Sequence, residues 1–339
     1  MSLNINEIVY NGGANIAGLL EAQIGLKEQI ETLRATKLNV ELEAKRLYYG
    51  LLLAYETKRI AQDLVEQAQS HYEEVENRFK QGTSSRFDVL QSKVQVSLLM
   101  PQLISAQNAI ELIIAEMDKL LGLKVGDKLV VNDKLIYQAI EIKEEDFLKE
   151  AYLNEPEMIL KSLGIDMEKW AIKYAKAGWL PQVNAGAEYS YRSSDLGNMF
   201  NKPHNNWNIG FSVRVPIFDG FSTKAKVDSA KAKYMQALIK KDNLADQVAV
   251  DVKQACLDLI KAATVIKSQQ DSLEDAKEAL KISYVRYDNG VGINLDVLGA
   301  QVSLANVEKN LAEGIYDYIM AQAELDRLMG RSSIEEKKI

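Results

Sequence analysis

One cysteine, two histidines and five prolines in 339 residues leave little room for several kinds of chemistry. A lone Cys256 cannot close an internal disulfide, and it falls in helical sequence where packing is its expected role. His71 and His204 stand too far apart for a zinc-type ligand spacing, so neither a metal nor a cofactor is expected. Aromatics make up only 7% of the chain, 15 of them tyrosine, and alanine, leucine, lysine, glutamate and glutamine fill most of the rest, a composition that favours long helices over a large globular core. The net charge is −7 and the lysines and arginines are scattered singly, which leaves no footprint for a phosphate backbone and makes nucleic acid an unexpected partner. Unbroken apolar runs such as Leu47 to Tyr55 are too short to cross a membrane as a helix. No nucleophile–base pairing or glycine-rich phosphate loop occurs either. Carboxylates spaced like Asp251 and Asp258 read as a solvated helix face, so an enzyme is not expected.

What the chain does have is a stretch that occurs twice. Arg78 to Leu90 reads RFKQGTSSRFDVL and Arg286 to Leu298 reads RYDNGVGINLDVL. The same numbering offset holds without a gap from Ile8 against Pro216 to Gly122 against Gly330, with 23 identities in 115 positions. A two-copy period this long is not a solenoid unit; it describes two equivalent helical hairpins. Each copy of the motif predicts a helix, a reversal at glycine (Gly82, Gly290), and a second helix with a carboxylate in its first turn (Asp88, Asp296). Ser85 and Asp88 have the spacing of a capping box.

Taken in order, Leu3 to Tyr10 reads as the tail of a strand ending at Asn11-Gly12-Gly13. Ala14 to Lys80 contains no proline, and its apolar residues recur at three and four, which predicts one helix about 100 Å long at ~1.5 Å per residue. A helix of that length needs a partner along it, so coiled-coil-like pairing follows. The return helix to Leu121 should kink or break near Pro101. Residues 122 to 138 are turn-rich with room for one short strand. Short helices follow at Glu144 to Leu153 and Met158 to Ala177. The period then changes to two: Val183 to Arg192 and Trp207 to Ile217 alternate apolar and polar residues, with Ser193 to Asn206 a polar loop between them. This alternation fits a soluble hairpin with one buried face or one hairpin of a membrane barrel. Taken alone it favours the soluble one. The second copy occupies Ser222 to Asp288 and Leu295 to Met329, and Arg331 to Ile339 reads as a disordered tail.

The runs RYDNGVGINLDVLGAQVSLA, Tyr316-Asp317-Tyr318, Leu325 to Gly330, WNIGFSVRVPIFDG and AKAGWLPQV together resemble the TolC-type outer membrane efflux proteins, in the family's order and across nearly the whole chain. The resemblance implies a mainly α protomer with a small transmembrane β part. Long antiparallel helical hairpins would build a helical barrel, and a β-hairpin would join a trimeric β-barrel. The implied segments are 1–13 as the end of a barrel strand, 14–122 as the first hairpin repeat, 123–181 as an equatorial region, 182–218 as the membrane hairpin, 219–330 as the second repeat and 331–339 as the tail. Tyr189, Tyr191, Trp207, Ile209, Phe211 and Val213 would face lipid, and Glu188 and Arg192 a watery lumen. The family carries a leader, a first helix and a first membrane hairpin ahead of its first long helix, and the resemblance implies that Leu3 to Tyr10 is the end of that hairpin, so the chain is expected to be truncated.

Functionally, the resemblance implies the outer membrane channel of a tripartite efflux or type I secretion system. Its expected partners are two further copies of itself, a periplasmic adaptor, an inner-membrane pump and outer membrane lipid. A soluble periplasmic coiled-coil scaffold or adaptor is the alternative, which the helical hairpins alone would support. Residue by residue, the family's closed tip places its tyrosine at Tyr287, the facing aspartate at Asp88 and a pore aspartate at Asp296. Its arginine position is Gly292 and its second pore aspartate is Gly299, so the latch is expected to be weaker or rebuilt, with Arg86 or Arg286 as substitutes. Gly82, Thr83, Ser84, Gly290, Val291 and Gly292 form the tips expected to meet the adaptor. Both tips should lie at one end, opposite the strands.

Overall fold

The two proline-free stretches fold as two helices of equal length, α1 (Ala14–Lys80) and α5 (Ser222–Asp288), 67 residues each. A computed structural model gives the architecture and describes residues 2–124, 126, 131, 133–191 and 205–332. The remaining elements are β1 (Ser2–Asn11), α2 (Arg86–Leu121), α3 (Glu144–Asn154), α4 (Pro156–Lys176), β2 (Gln182–Tyr191), β3 (Asn205–Arg214) and α6 (Asn294–Leu328), with a 3-10 turn at Ala177–Trp179. Of the polar loop expected between the strands, residues 193–204 lie outside the described residues, as do Arg192 and most of the expected tail, while its last two residues, Asn205 and Asn206, already pair with β2 as the start of β3. In the turn-rich stretch after α2 no strand occurs among the described residues.

Two compact units emerge, one from Met1–Ala35 and Glu155–Gln247, the other from Thr36–Asn154 and Val248–Ile339. In the first unit β1, β2 and β3 form an antiparallel sheet in that order. The strand expected over Leu3 to Tyr10 is β1, which spans ten residues and pairs along the whole of β2, from Ser2 opposite Ser190 to Asn11 opposite Gln182. Its alternation is hard to follow because the register shifts between Ile8 and Tyr10. A bulge of this kind inserts a residue and returns the strand to its former face. Across β2 and β3, Tyr189 pairs with Trp207, Ala187 with Ile209, Ala185 with Phe211 and Val183 with Val213. Since successive side chains alternate, all of these share one face with Leu3 and Ile5 of β1. The turn after β1 is tight: a Cβ on Gly12 would fall 2.7 Å from Leu180 Cβ and 2.8 Å from the Ala177 carbonyl oxygen. In the second copy the corresponding turn holds Phe221 at φ 65, a conformation that glycine adopts far more readily.

In the second unit the helices pack through small apolar clusters strung along their length. Leu51 and Ala54 of α1 meet Ile110 of α2, and further along Leu64 and Ala68 meet Leu99, with Ala305 of α6 against them. Pro101 does not break α2, which is continuous from Arg86 to Leu121. The carbonyl of Ser97 that loses its helical donor to the proline lies on an exposed turn, where water can replace it. Length and composition alone would let α2 cross a membrane. Its sequence holds no long unbroken apolar run because glutamine and serine punctuate it. The contacts of Leu99 and Ile110 with α1 make α2 one arm of a helical hairpin.

Candidate functional site at the paired hairpin tips

Both reversals close with the same hydrogen bonds. At the first, Gly82 N–H donates to the Phe79 carbonyl (2.9 Å) and Thr83 N–H to the Arg78 carbonyl (2.9 Å). At the second, Gly290 N–H donates to Tyr287 (3.0 Å) and Val291 N–H to Arg286 (3.0 Å). This paired pattern ends a helix on a left-handed residue, and Gly82 and Gly290 have φ of 80 and 70. The two starts that follow differ. Ser85 caps α2 with a complete capping box: its Oγ accepts from Asp88 N–H (3.1 Å) while the Asp88 carboxylate accepts from Ser85 N–H (3.2 Å). At the equivalent position α6 has Ile293, whose side chain makes no cap, so Asp296 sits in the first turn without that partner.

The two tips are neighbours. The Arg78 guanidinium donates to Glu74 on its own helix (2.6 Å) and to Asp288 of the other hairpin (2.6 Å). It also reaches the Tyr287 carbonyl (3.4 Å) and lies 4.9 Å from the centre of that tyrosine's ring, within cation–π range. Tyr287 itself is buried in a cluster with Val75, Val89 and Val297, one residue from each of the four long helices. Burial raises the Tyr287 phenol above its ordinary range, with the Ser84 side chain as its polar neighbour. Asp88, on the facing helix, has its carboxylate engaged in the cap by Ser85 Oγ (2.6 Å). Arg86 is exposed, with its guanidinium 5.9 Å from the Phe79 ring, and Arg286, Asp296, Thr83 and Val291 are exposed as well.

Below the turns lies a buried polar junction that the sequence did not reveal. His71 Nε2 is 2.7 Å from Asn294 Oδ1, and Ser92 Oγ donates to that same oxygen at 3.2 Å. The Asn294 amide nitrogen donates to the Asp88 carbonyl (3.4 Å) and to Gln91 Oε1 (3.2 Å). Alongside, Gln301 Nε2 donates to the Tyr284 hydroxyl at 2.6 Å. His71, Ser92, Asn294 and Gln301 are all almost completely buried. The His71 ring stands edge-on to Tyr284 and Tyr287. The repeat mates of His71 and Asn294 are Ala279 and Arg86, so polar residues stand where the other copy has a small side chain or an exposed one, but nothing in that mismatch pairs the two with each other.

Gly292 explains its own identity. A Cβ there would lie 3.0 Å from the Arg286 carbonyl carbon and 3.0 Å from Tyr287 N. Any larger residue at this position, the family's arginine included, must shift the turn. Gly299, by contrast, faces open space.

The strand residues form a second feature. Trp207, Ile209, Phe211 and Val213 are between 62% and 76% exposed and Tyr189 is 46% exposed; among the described residues nothing covers this apolar face. For Tyr191 only the backbone is described, opposite Asn205. The other face carries Asn4, Asn6, Asn184, Glu188, Asn208 and Ser212 around Gly186 and Gly210. No group of three His, Cys, Asp or Glu side chains is placed to hold a metal among the described residues.

The family description "outer membrane efflux protein" matches residues 1–123 and 147–331 of this chain. Among curated relatives, the chain is 22% identical to the alkaline protease secretion protein AprF of Pseudomonas aeruginosa over 84% of its own length and 61% of that protein. It is 22% identical to the outer membrane protein TolC of Vibrio cholerae over 89% of itself and 70% of the relative. It is also 22% identical to the cation efflux system protein CusC of Escherichia coli K12, over 84% of itself and 62% of CusC. The chain thus spans less than two thirds of two of these three relatives. Among solved structures, the outer membrane protein VceC of Vibrio cholerae superposes with a TM-score of 0.84 at 19% identity, covering 98% of this chain and 79% of VceC. The CmeC outer membrane channel of Campylobacter jejuni superposes with a TM-score of 0.83 at 19% identity, covering 99% and 73%.

Proposed function

The chain belongs to the outer membrane efflux protein family, and from that premise we propose that it is the passive duct of an export system, a channel with no chemistry of its own. The observation that carries this is the strand face. A soluble hairpin would bury Trp207, Ile209, Phe211 and Val213, yet they form a bare apolar stripe opposite a face of asparagine, serine and glutamate. Such a two-sided sheet suits a barrel wall with lipid on one side and water on the other. A wall of this kind must close on itself, because open strand edges in lipid leave backbone groups without partners. The three strands among the described residues are too few to close a barrel around a channel by themselves, which favours a barrel shared between copies of the chain, as in the trimer proposed here. In this reading Tyr189, Trp207, Ile209, Phe211 and Val213 face outer membrane lipid.

The paired tips are then the inner end of the duct. Asp88 and Tyr287 restrain the closed tip, Arg78 ties the two hairpins together, and Asp296 sets a cation preference at the constriction. Arg86 and Arg286 are exposed beside it and available to a neighbouring copy. The turns Gly82 to Ser84 and Gly290 to Gly292 offer the surface on which a periplasmic adaptor, itself bound to an inner-membrane pump, would dock. The relatives' names run from protease secretion to cation efflux, so the cargo does not follow from membership. A soluble periplasmic scaffold, the other role open to long helical hairpins, gives the strand face no purpose.

The test is the placement of Trp207. With Trp170 and Trp179 replaced by phenylalanine, Trp207 fluorescence in the membrane-reconstituted protein is expected to be quenched by lipids brominated on their acyl chains. Emission unaffected by such lipids would remove the barrel wall and return the scaffold reading.

A further inference from the structure

We propose that the junction between the two hairpin tips is proton-sensitive, with His71 as the sensor: the neutral ring holds Asn294 across the hairpins, and a second proton loosens the junction. The link to flow rests on the tips being the inner end of the duct; the loosening itself does not.

The geometry assigns the proton. The Asp88 backbone carbonyl can only accept, so the Asn294 side chain must turn its amide nitrogen toward it, as the 3.4 Å contact has it. The same orientation faces Gln91 Oε1 with a donor and presents Asn294 Oδ1 to Ser92 and His71. An amide oxygen only accepts, so the nitrogen 2.7 Å from it, His71 Nε2, carries the hydrogen. In the neutral ring Nδ1 then holds a lone pair. Nδ1 is buried and has no hydrogen-bond partner among the described residues. Protonation there creates a buried N–H with no acceptor and a positive charge between four packed helices.

The charged groups around the ring do not rescue it. From α1 come Glu74 and Arg78, and from α5 Asp288 with the phenols of Tyr284 and Tyr287. The Asp88 carboxylate of α2 is held in the helix cap, and α6 places the uncharged Asn294 against the ring. Glu74 and Asp288 favour a charged ring, but each is bonded at 2.6 Å to Arg78, which opposes it. Burial outweighs them and holds the imidazole below its ordinary value of 6.5.

The sign follows from linkage. A loosened tip exposes the ring, which then binds a proton at its ordinary value, so the open form takes up more protons between that value and the depressed one. The junction is therefore at full strength above pH 6.5 and loses strength as pH falls from there toward the depressed value, with no further loss below it. The other repeat has Ala279 and Arg86 at these positions, so each chain carries one such sensor.

The experiment places nitroxide labels on the full chain at the exposed turn residues, as Thr83→Cys with Val291→Cys and Cys256→Ala, and measures their separation from about pH 7.5 to about pH 5. The expected result is a distribution that broadens and moves to longer distance below pH 6.5 in the parent, and stays fixed in His71→Gln, whose amide still donates to Asn294 but does not titrate. A parent distribution unchanged across the range, or an equal response in His71→Gln, overturns the proposal. Imidazole NMR of the unsubstituted protein decides independently of any variant. A neutral ring protonated at Nε2 and titrating below 6.5 supports it, and one protonated at Nδ1 or titrating at or above 6.5 overturns it. If the tips separate in acid while conductance does not change, the sensor stands and the gate reading is what fails.

Discussion

His71 Nε2 and Asn294 Oδ1 are 2.7 Å apart although 223 residues separate them in the chain. The contact joins the long helix of the first repeat to the return helix of the second, inside a shell of tyrosine and valine rather than in water. It ties one hairpin to the other by a directional bond at the level where Tyr287 and the four-helix apolar cluster also meet. Slippage of one hairpin along the other by a helical turn would leave several buried polar groups unpaired at once.

Replacing Asn294 by leucine keeps the volume and removes both its donors and its acceptor. His71 and Ser92 are then left as buried donors with no acceptor, each costing about 1 to 3 kcal/mol. Hydrogen exchange of the tip amides is expected to speed up by the corresponding factor, while amides near Leu51 and Ile110 keep their protection. Uniform loss along the whole helix pair would mean that the junction has no local role.

The Arg78–Asp288 pair should matter much less. Asp288 is 54% exposed on its side chain, so water screens the attraction despite the 2.6 Å distance. A double-mutant cycle with Arg78→Ala and Asp288→Ala is expected to give a coupling of about 0.2 to 1 kcal/mol. It should shrink as salt is raised. A coupling well beyond that range, insensitive to salt, would show that the pair is shielded in the assembled protein.

The unequal caps make an opposed pair of predictions. Ser85→Ala removes the box that starts α2 and should lower stability by about 1 kcal/mol. Ile293→Ser places a hydroxyl three residues before Asp296, as Ser85 stands before Asp88, and should raise it by about 0.5 to 1 kcal/mol since Ile293 is largely exposed. Denaturant midpoints measured on both variants check this. A loss in Ile293→Ser would mean that the isoleucine packs on something outside this chain.

The sequence carried the periodic features well. Absence of proline and an apolar recurrence of three and four set both long helices to the residue, and Ser85 with Asp88 announced the cap. The strand faces followed from alternation wherever it was regular, and the strand read over Leu3 to Tyr10 matches β1 to within one residue at each end although its register shifts between Ile8 and Tyr10. Pro101 misled because a proline costs a helix most where the freed carbonyl is buried, and here it is exposed. The junction of His71 with Asn294 was invisible for a different reason. It joins distant segments through single polar residues with no period, and only pairing the two hairpins tip to tip brings them together. Arg78, identical in both copies as Arg286, bridges in one and is exposed in the other because Asp288 has Lys80 as its mate.

If these tips close a duct, single-channel conductance of the assembled protein in planar lipid bilayers shows it most directly. The parent should pass small currents with cation preference. Asp88→Ala combined with Tyr287→Phe should conduct substantially more, and Asp296→Ala should lose part of the cation preference. If all three proteins give the same conductance and the same selectivity, these residues only make turns and cap helices, and the reading of the tip as a gate is wrong.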